Sequence, residues 1–273
     1  MKKIWPIIFV SIFGLSLNFL GRKHVVLGVS SQEFQQAYQE YISASSIYQS
    51  DYEKFILSRS KYLTFMSISS ESEAIDSTKK MIISRIDFLV KYVTALRIKL
   101  ALETKIIDYQ ENLLYLQLDN ELTSLLNSKE LVNSAQDLKG LNDVESNSGR
   151  KYQTISKLAY KSLGLINYRQ NLKVVTDLRK QVDILNNKLE QYANLGTYDL
   201  TNSKNRFEQT DKQFRDLEIK IEEDKKKFFG LVDSQNDPEK AYLDYKNMIS
   251  TQKSEIINLF SVFEEIIFLI KKT

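Results

Sequence analysis

Residues 34–55 have the sequence FQQAYQEYISASSIYQSDYEKF, and the spacing of the aromatic side chains in this stretch decides the fold class. Seven positions in this stretch follow one another at steps of three or four residues and so lie along one side of a helix. Six of them are aromatic, namely Phe34, Tyr38, Tyr41, Tyr48, Tyr52 and Phe55, and the seventh is Ser45. A period near 3.5 residues is typical of a helix that buries one narrow seam against other helices. The stretch therefore predicts a helix over residues 33–66 that packs within a helical bundle.

Similar apolar seams continue along the rest of the chain, and helix start and stop signals separate them. Together they predict helices over residues 33–66, 71–137, 150–195, 201–230 and 238–271. After Ile107 the seam advances by successive steps of four, through Glu111 to Tyr115, before it reaches Leu118, and this is a stutter in the heptad pattern. A kink or a break within 71–137 is therefore an open alternative to one continuous helix.

Glycine and proline, the residues that tight turns need, are scarce. Only five glycines and one proline lie beyond residue 31, too few for the connections of a β-rich fold. We therefore predict an all-α protein: an elongated antiparallel helical bundle or coiled coil of about five helices over residues 32–273. The clearest predicted loop is residues 138–149, LKGLNDVESNSG, which combines two glycines with several Asn, Asp and Ser residues.

The first 31 residues have the composition of an export signal. Two lysines precede an apolar run from Ile4 to Leu20, and Val29-Ser30-Ser31 offers small residues for cleavage. Positive charge directly after the run, at Arg22-Lys23, opposes translocation, so an uncleaved membrane anchor is the alternative. Either way, the sequence predicts an exported protein that is periplasmic, displayed on the cell surface or secreted, with or without an N-terminal anchor.

The composition beyond residue 31 excludes several kinds of chemistry. This part has no Cys and no His, which excludes thiol nucleophiles, His-based triads and zinc sites built on these residues. Its 34 basic and 35 acidic residues are intermixed, so no basic stripe favours nucleic acid. We expect no enzyme activity, no cofactor or metal, and no small-molecule substrate.

Four tyrosines of the first seam are candidate interaction residues, namely Tyr38, Tyr41, Tyr48 and Tyr52. Tyrosine suits contact surfaces because it joins a large apolar ring to a polar tip, so the stripe could bind carbohydrate or peptide. The alternative, which we favour, is a packing seam whose hydroxyls reach the edge of the bundle.

Residues 256–270, IINLFSVFEEIIFLI, are apolar on more than one helix face. As a helix the run spans about 22 Å, which is short of a hydrocarbon core of about 30 Å. It is therefore a candidate for membrane contact or, in the favoured interpretation, for burial among helices or in an oligomer interface. The candidate contact residues are Ile256, Phe260, Phe263, Ile267 and Ile270.

These observations favour a non-enzymatic, exported or membrane-tethered coiled-coil protein that acts as a cell-envelope scaffold, spacer or adhesin-like interaction module. Its partners would be proteins, or further copies of itself, bound through helical seams. The alternative is a secreted, membrane-active protein of the pore-forming type that uses residues 256–270.

Glu103 and Gln252 interrupt otherwise apolar seams, and such polar positions can determine helix register or oligomeric state.

Overall fold

A computed structural model of the chain describes residues 31–103, 109–194, 200–234 and 237–272, so the predicted leader lies outside it except for Ser31. Helices account for nearly all of the described residues, and these contain no strand. The all-α prediction is confirmed, and the described segments form six helices where about five were predicted. The helices are α1 (Ser31–Phe65), α2 (Ile68–Glu103), α3 (Tyr109–Ser134), α4 (Leu138–Asn194), α5 (Thr201–Ser234) and α6 (Pro238–Lys272).

The chain divides into two compact units, and the boundary falls inside α4 between Ile155 and Ser156. The first unit contains α1, α2, α3 and the start of α4. The second contains the rest of α4 together with α5 and α6. Each unit has its own buried apolar core, so each is described separately.

Consecutive helices of the first unit run antiparallel. Lys91 of α2 binds Glu40 near the start of α1, whereas Lys61 near the end of α1 binds Glu73 near the start of α2. The apolar seam of α2 forms the centre of this unit. Six of its residues are at most 3% exposed: Ile82, Ile86, Leu89, Val93, Leu96 and Leu100.

The helix predicted over residues 71–137 is two antiparallel helices, α2 and α3. Asp87 of α2 accepts hydrogen bonds from Lys129 of α3 at 2.8 and 2.9 Å, and Arg97 Nη2 donates to Asp119 at 3.2 Å. The chain therefore reverses between Glu103 and Tyr109, close to the predicted stutter. Reversal lets the two apolar seams cover each other, which one extended helix cannot do.

The loop predicted over residues 138–149 is wrong, because these residues form the first turns of α4. Asp137 caps the helix: its Oδ1 accepts a hydrogen bond of 2.7 Å from the Gly140 N–H. Leu141 is completely buried, and Glu145 binds Arg85 of α2 at 3.2 Å. Capping and tertiary contacts therefore outweigh the unfavourable helix propensity of the Gly and Asn residues.

The turn between α1 and α2 places the start of the second helix earlier than the predicted residue 71. Ser67 is the capping residue, since its Oγ accepts a hydrogen bond from the Ser70 N–H while Ser70 Oγ accepts one from the Ser67 N–H. Helix α2 consequently begins at Ile68 and not at residue 71. Met66 just before it has a φ of 46°, a left-handed conformation that ends α1.

The second unit is a three-helix arrangement with α5 antiparallel to both α4 and α6. Arg179 of α4 binds Asp211 at 2.5 Å and Glu218 at 2.6 Å, both on α5. On α6, Phe263 packs against Phe207 of α5 with ring centroids 5.8 Å apart. The end of the helix predicted over residues 150–195 lies outside the described residues.

Candidate functional site

The α1–α2 hairpin extends beyond the other helices of the first unit. Lys129 of α3 lies beside Asp87 of α2, and α3 ends five residues later at Ser134, so its end is level with about residue 82 of the antiparallel α2. Glu145 of α4 lies beside Arg85 of α2, and α4 begins seven residues earlier, at Leu138. Because α4 runs in the same direction as α2, its start is level with about residue 78 of α2. Within the described residues of the first unit, the first turns of α2, roughly 15 Å of helix, therefore pair only with the end of α1.

The end of this hairpin exposes large apolar side chains. Ile68 is 88% exposed, Met66 75%, Leu57 72% and Phe65 68%. The buried residues between the two helices here are small or polar apart from Phe55: they include Ser58, Ser70, Ala74 and Thr78. These exposed apolar side chains make the end of the hairpin a candidate interaction site.

An open groove runs along one face of the hairpin, with a volume of about 890 Å³. Its apolar rim includes Leu57 and Ile68, and small serines such as Ser58, Ser72 and Ser77 lie along it. The charged lining residues are Asp51, Lys54, Glu73, Asp76 and Lys80. A smaller groove shares two of these residues and continues away from the turn between α1 and α2. It is lined by Ala44, Ile47, Asp51, Lys80, Ile83, Ser84 and Asp87.

The four predicted tyrosines do not form one accessible surface. Tyr41 is buried, with its ring 5.4 Å from that of Phe88 and 5.5 Å from that of Tyr92. Tyr38 and Tyr48 are half-buried, and only Tyr52 is exposed. This placement corresponds to the seam alternative, in which the aromatic rings pack α1 against α2.

The candidate residues of α6 are also divided between core and surface. Ile256 and Phe263 are buried in the second unit, whereas Phe260 and Ile267 are exposed. The side chain of Ile270 is not among those described. None of the described helices contains a stretch long and apolar enough to cross a membrane.

A buried polar chain crosses the core of the second unit. Asn171 of α4 donates a hydrogen bond to Gln252 of α6 at 2.9 Å, and Gln252 donates to Asp224 of α5 at 2.7 Å. Asn171 and Gln252 are each 1% exposed, and Asn171 Oδ1 has no hydrogen-bond partner among the described residues. The seam interruption at Gln252 therefore forms a polar link across all three helices. The other interruption, Glu103, is half-buried and binds Lys99 at 2.8 Å.

We expect alkaline pH to destabilise the protein through tyrosines such as Tyr245. Burial, with the nearby charges of Asp224 and Glu222, raises the pKa of Tyr245 above the value of about 10 that an unfolded chain shows. The neutral phenol is thus stabilised by folding, and this contribution is lost as the pH rises above about 10. At pH 11 the loss is about 1 kcal/mol for each such tyrosine.

Urea unfolding at pH 8 and pH 11 measures this loss, and Tyr245→Phe isolates the contribution of one hydroxyl. The variant should lose less stability than the wild type between the two pH values. An equal loss in both proteins would show that Tyr245 does not contribute.

No group of three or more His, Cys, Asp or Glu side chains in the described segments is arranged to hold a metal ion. Comparisons with protein-family models, curated proteins and solved structures find no match to this chain. The fold and the site together define a helical-bundle protein with a projecting two-helix hairpin. The hairpin is the candidate site that sequence patterns missed, because the seam that predicts α1 contains neither Leu57 nor Phe65 and gives no signal for the other faces of the helix.

Proposed function

We propose that this protein is a non-enzymatic, exported or membrane-tethered helical scaffold of the cell envelope, and that the α1–α2 hairpin is its interaction element. The observation that carries the proposal is the exposure of Leu57, Phe65, Met66 and Ile68 on a hairpin that projects past α3 and α4. Keeping such side chains in water is unfavourable, and a partner that covers them gains their burial free energy. The leader composition supports export, either with cleavage or with retention as an anchor.

The membrane-active alternative receives less support from the arrangement of α6. Phe263 and Ile256 lie in the core of the second unit, so membrane insertion of the 256–270 segment would require that core to open. Dye release from liposomes by the purified protein would favour this alternative over the scaffold.

Photo-crosslinking in a bacterial host, combined with cell fractionation, tests the scaffold. A photoreactive amino acid replaces Leu57, which lines the groove, in the full chain. The matched control carries the same amino acid at Gln213, an exposed position on α5 in the other unit. We expect the protein in the envelope or secreted fraction, with crosslinked protein adducts from position 57 and far fewer from position 213.

Two results would contradict the proposal. One is a protein confined to the cytosol, and the other is equal or absent crosslinking at the two positions. Circular dichroism of both variants verifies that each remains helical.

A further inference from the structure

The end of the α1–α2 hairpin carries no charged side chain. Residues 62–70, YLTFMSISS, which we call the tip, lie between Lys61 of α1 and Glu71 of α2. Lys61 binds Glu73 across the hairpin, and by this register Glu71 is level with about Leu63. The charged residues of the two helices therefore stop at nearly the same level. Beyond that level the hairpin extends by about 5 Å of backbone before the chain reverses.

Four large apolar side chains of the tip are exposed to solvent. Each is at least 60% exposed: Leu63 and Phe65 on α1, Met66 in the connection and Ile68 on α2. Because they come from both helices and from the turn between them, no single flat surface covers all four. A fluid apolar phase surrounds such a tip from every side, and the hydrocarbon of a lipid bilayer is a phase of this kind.

Three hydroxyl groups of the tip donate hydrogen bonds within the hairpin. Thr64 donates to the Ser60 carbonyl at 2.9 Å, and Ser70 donates to the Ser67 carbonyl at 2.9 Å. Ser67 donates to Ser70 Oγ at 3.0 Å, and the backbone N–H of each of these two serines donates to the Oγ of the other. Polar groups that are satisfied internally lose little when water is removed, which is the condition that hydrocarbon imposes.

We propose that the tip inserts into the surface of a lipid bilayer, to a depth of about 5–10 Å. Phe65, Met66 and Ile68 then lie among the first carbons of the acyl chains, whereas Lys61 and Glu71 lie at the level of the headgroups. The charge pattern complements a bilayer at this depth, because the uncharged segment meets hydrocarbon and charges of both signs meet zwitterionic headgroups.

This inference rests on the proposed function, because it names what covers the end of the same hairpin. The groove residue Leu57 lies on α1 about 9 Å from Leu63, on the side away from the turn, so it stays outside the bilayer. The tip thus holds the hairpin at the membrane, and the groove remains open to a protein partner.

A fluorescent label at one introduced cysteine tests the insertion, since the chain has no cysteine of its own. Ile68→Cys carries a nitrobenzoxadiazole label, and the full chain is diluted from mild detergent into an excess of phosphatidylcholine vesicles. The emission should rise severalfold and shift to the blue, and lipids with a nitroxide near the headgroup end of the acyl chain should quench it. Leu57→Cys with the same label is the matched control, because it is also highly exposed on the hairpin and should show neither change.

Phe65→Ser in the labelled Ile68→Cys chain measures the contribution of one side chain. The ratio of inserted to free tips should fall about tenfold, because one large apolar side chain no longer leaves water. Ile47→Ser is the control substitution, since Ile47 is exposed on α1 far from the turn and should not affect the ratio. Sodium chloride or added phosphatidylglycerol should change the ratio little, because the charges beside the tip are of both signs.

Four results would overturn the inference: a label at position 68 that stays in water, a label at position 57 that changes equally, a Phe65→Ser chain that inserts like the wild type, or insertion that requires anionic lipid. A photoreactive amino acid at position 68 that captures protein and no lipid in cells would also overturn it. Protein crosslinks from position 57 in the envelope would still support the scaffold function after any of these results, so the two failures are distinguishable.

Discussion

Replacing Gly164 with alanine should lower the free energy of unfolding by about 2 kcal/mol, although alanine is the better helix former. A Cβ at this position of α4 would lie 2.0 Å from Cε1 and 2.5 Å from Cζ of Phe228 on α5. The Phe228 ring cannot move aside easily, because it stacks on Tyr245 with centroids 4.4 Å apart and is itself 1% exposed. Overpacking therefore outweighs the helix-propensity gain of about 1 kcal/mol.

Gly230→Ala provides the matched control, because no atom lies within 4 Å of a Cβ built at that helical position. This variant should be as stable as the wild type or up to about 1 kcal/mol more stable. Urea unfolding followed by circular dichroism measures both variants. Adding Phe228→Leu to Gly164→Ala should recover part of the loss, and a Gly164→Ala protein with wild-type stability would disprove the close approach of α4 and α5.

The packed seams are the part of the fold that the sequence predicts well. Ile82, Val93 and Leu96 are spaced so that they share one face of a helix, and the structure buries all three. The period of 3.5 residues identifies which side chains face inward, but not which helix covers them. For this reason the stutter predicts a kink or a break within residues 71–137 but not the reversal between α2 and α3, and the contact of Gly164 with Phe228 has no sequence signal beyond a glycine inside a helix.

The start of α4 and the hairpin show two further limits of what the sequence alone predicts. Residues 138–149 resemble a loop in composition, whereas the cap at Asp137 and the burial of Leu141 are non-local or geometric features that composition does not report. Leu57 and Phe65 are large apolar residues of α1 that remain 72% and 68% exposed. An apolar residue at helical spacing predicts burial somewhere, either within the chain or against a partner.

Gln252→Leu should destabilise the second unit by about 1–3 kcal/mol, because it removes the hydrogen-bond acceptor of the buried Asn171 amide. Asn171 Oδ1 already has no hydrogen-bond partner among the described residues, so the substitution leaves both ends of this amide unsatisfied. Asp224 loses the donor from Gln252 as well, but this carboxylate is only half-buried and can bind water. The desolvation of Asn171 therefore accounts for most of the expected loss.

The double variant Asn171→Leu/Gln252→Leu tests separately whether the polar link contributes to the free energy of unfolding and whether it determines the register between α4 and α6. With both buried amides gone, an apolar layer of similar size replaces them, and the free energy of unfolding should return to the wild-type value or exceed it. If the polar link determines how α4 and α6 align, however, the double variant should lose its single register while remaining helical. Urea unfolding measures the first effect, and broadened or duplicated amide NMR signals would report the second. A double variant as unstable as Gln252→Leu alone would show that packing volume, and not hydrogen bonding, dominates at this layer.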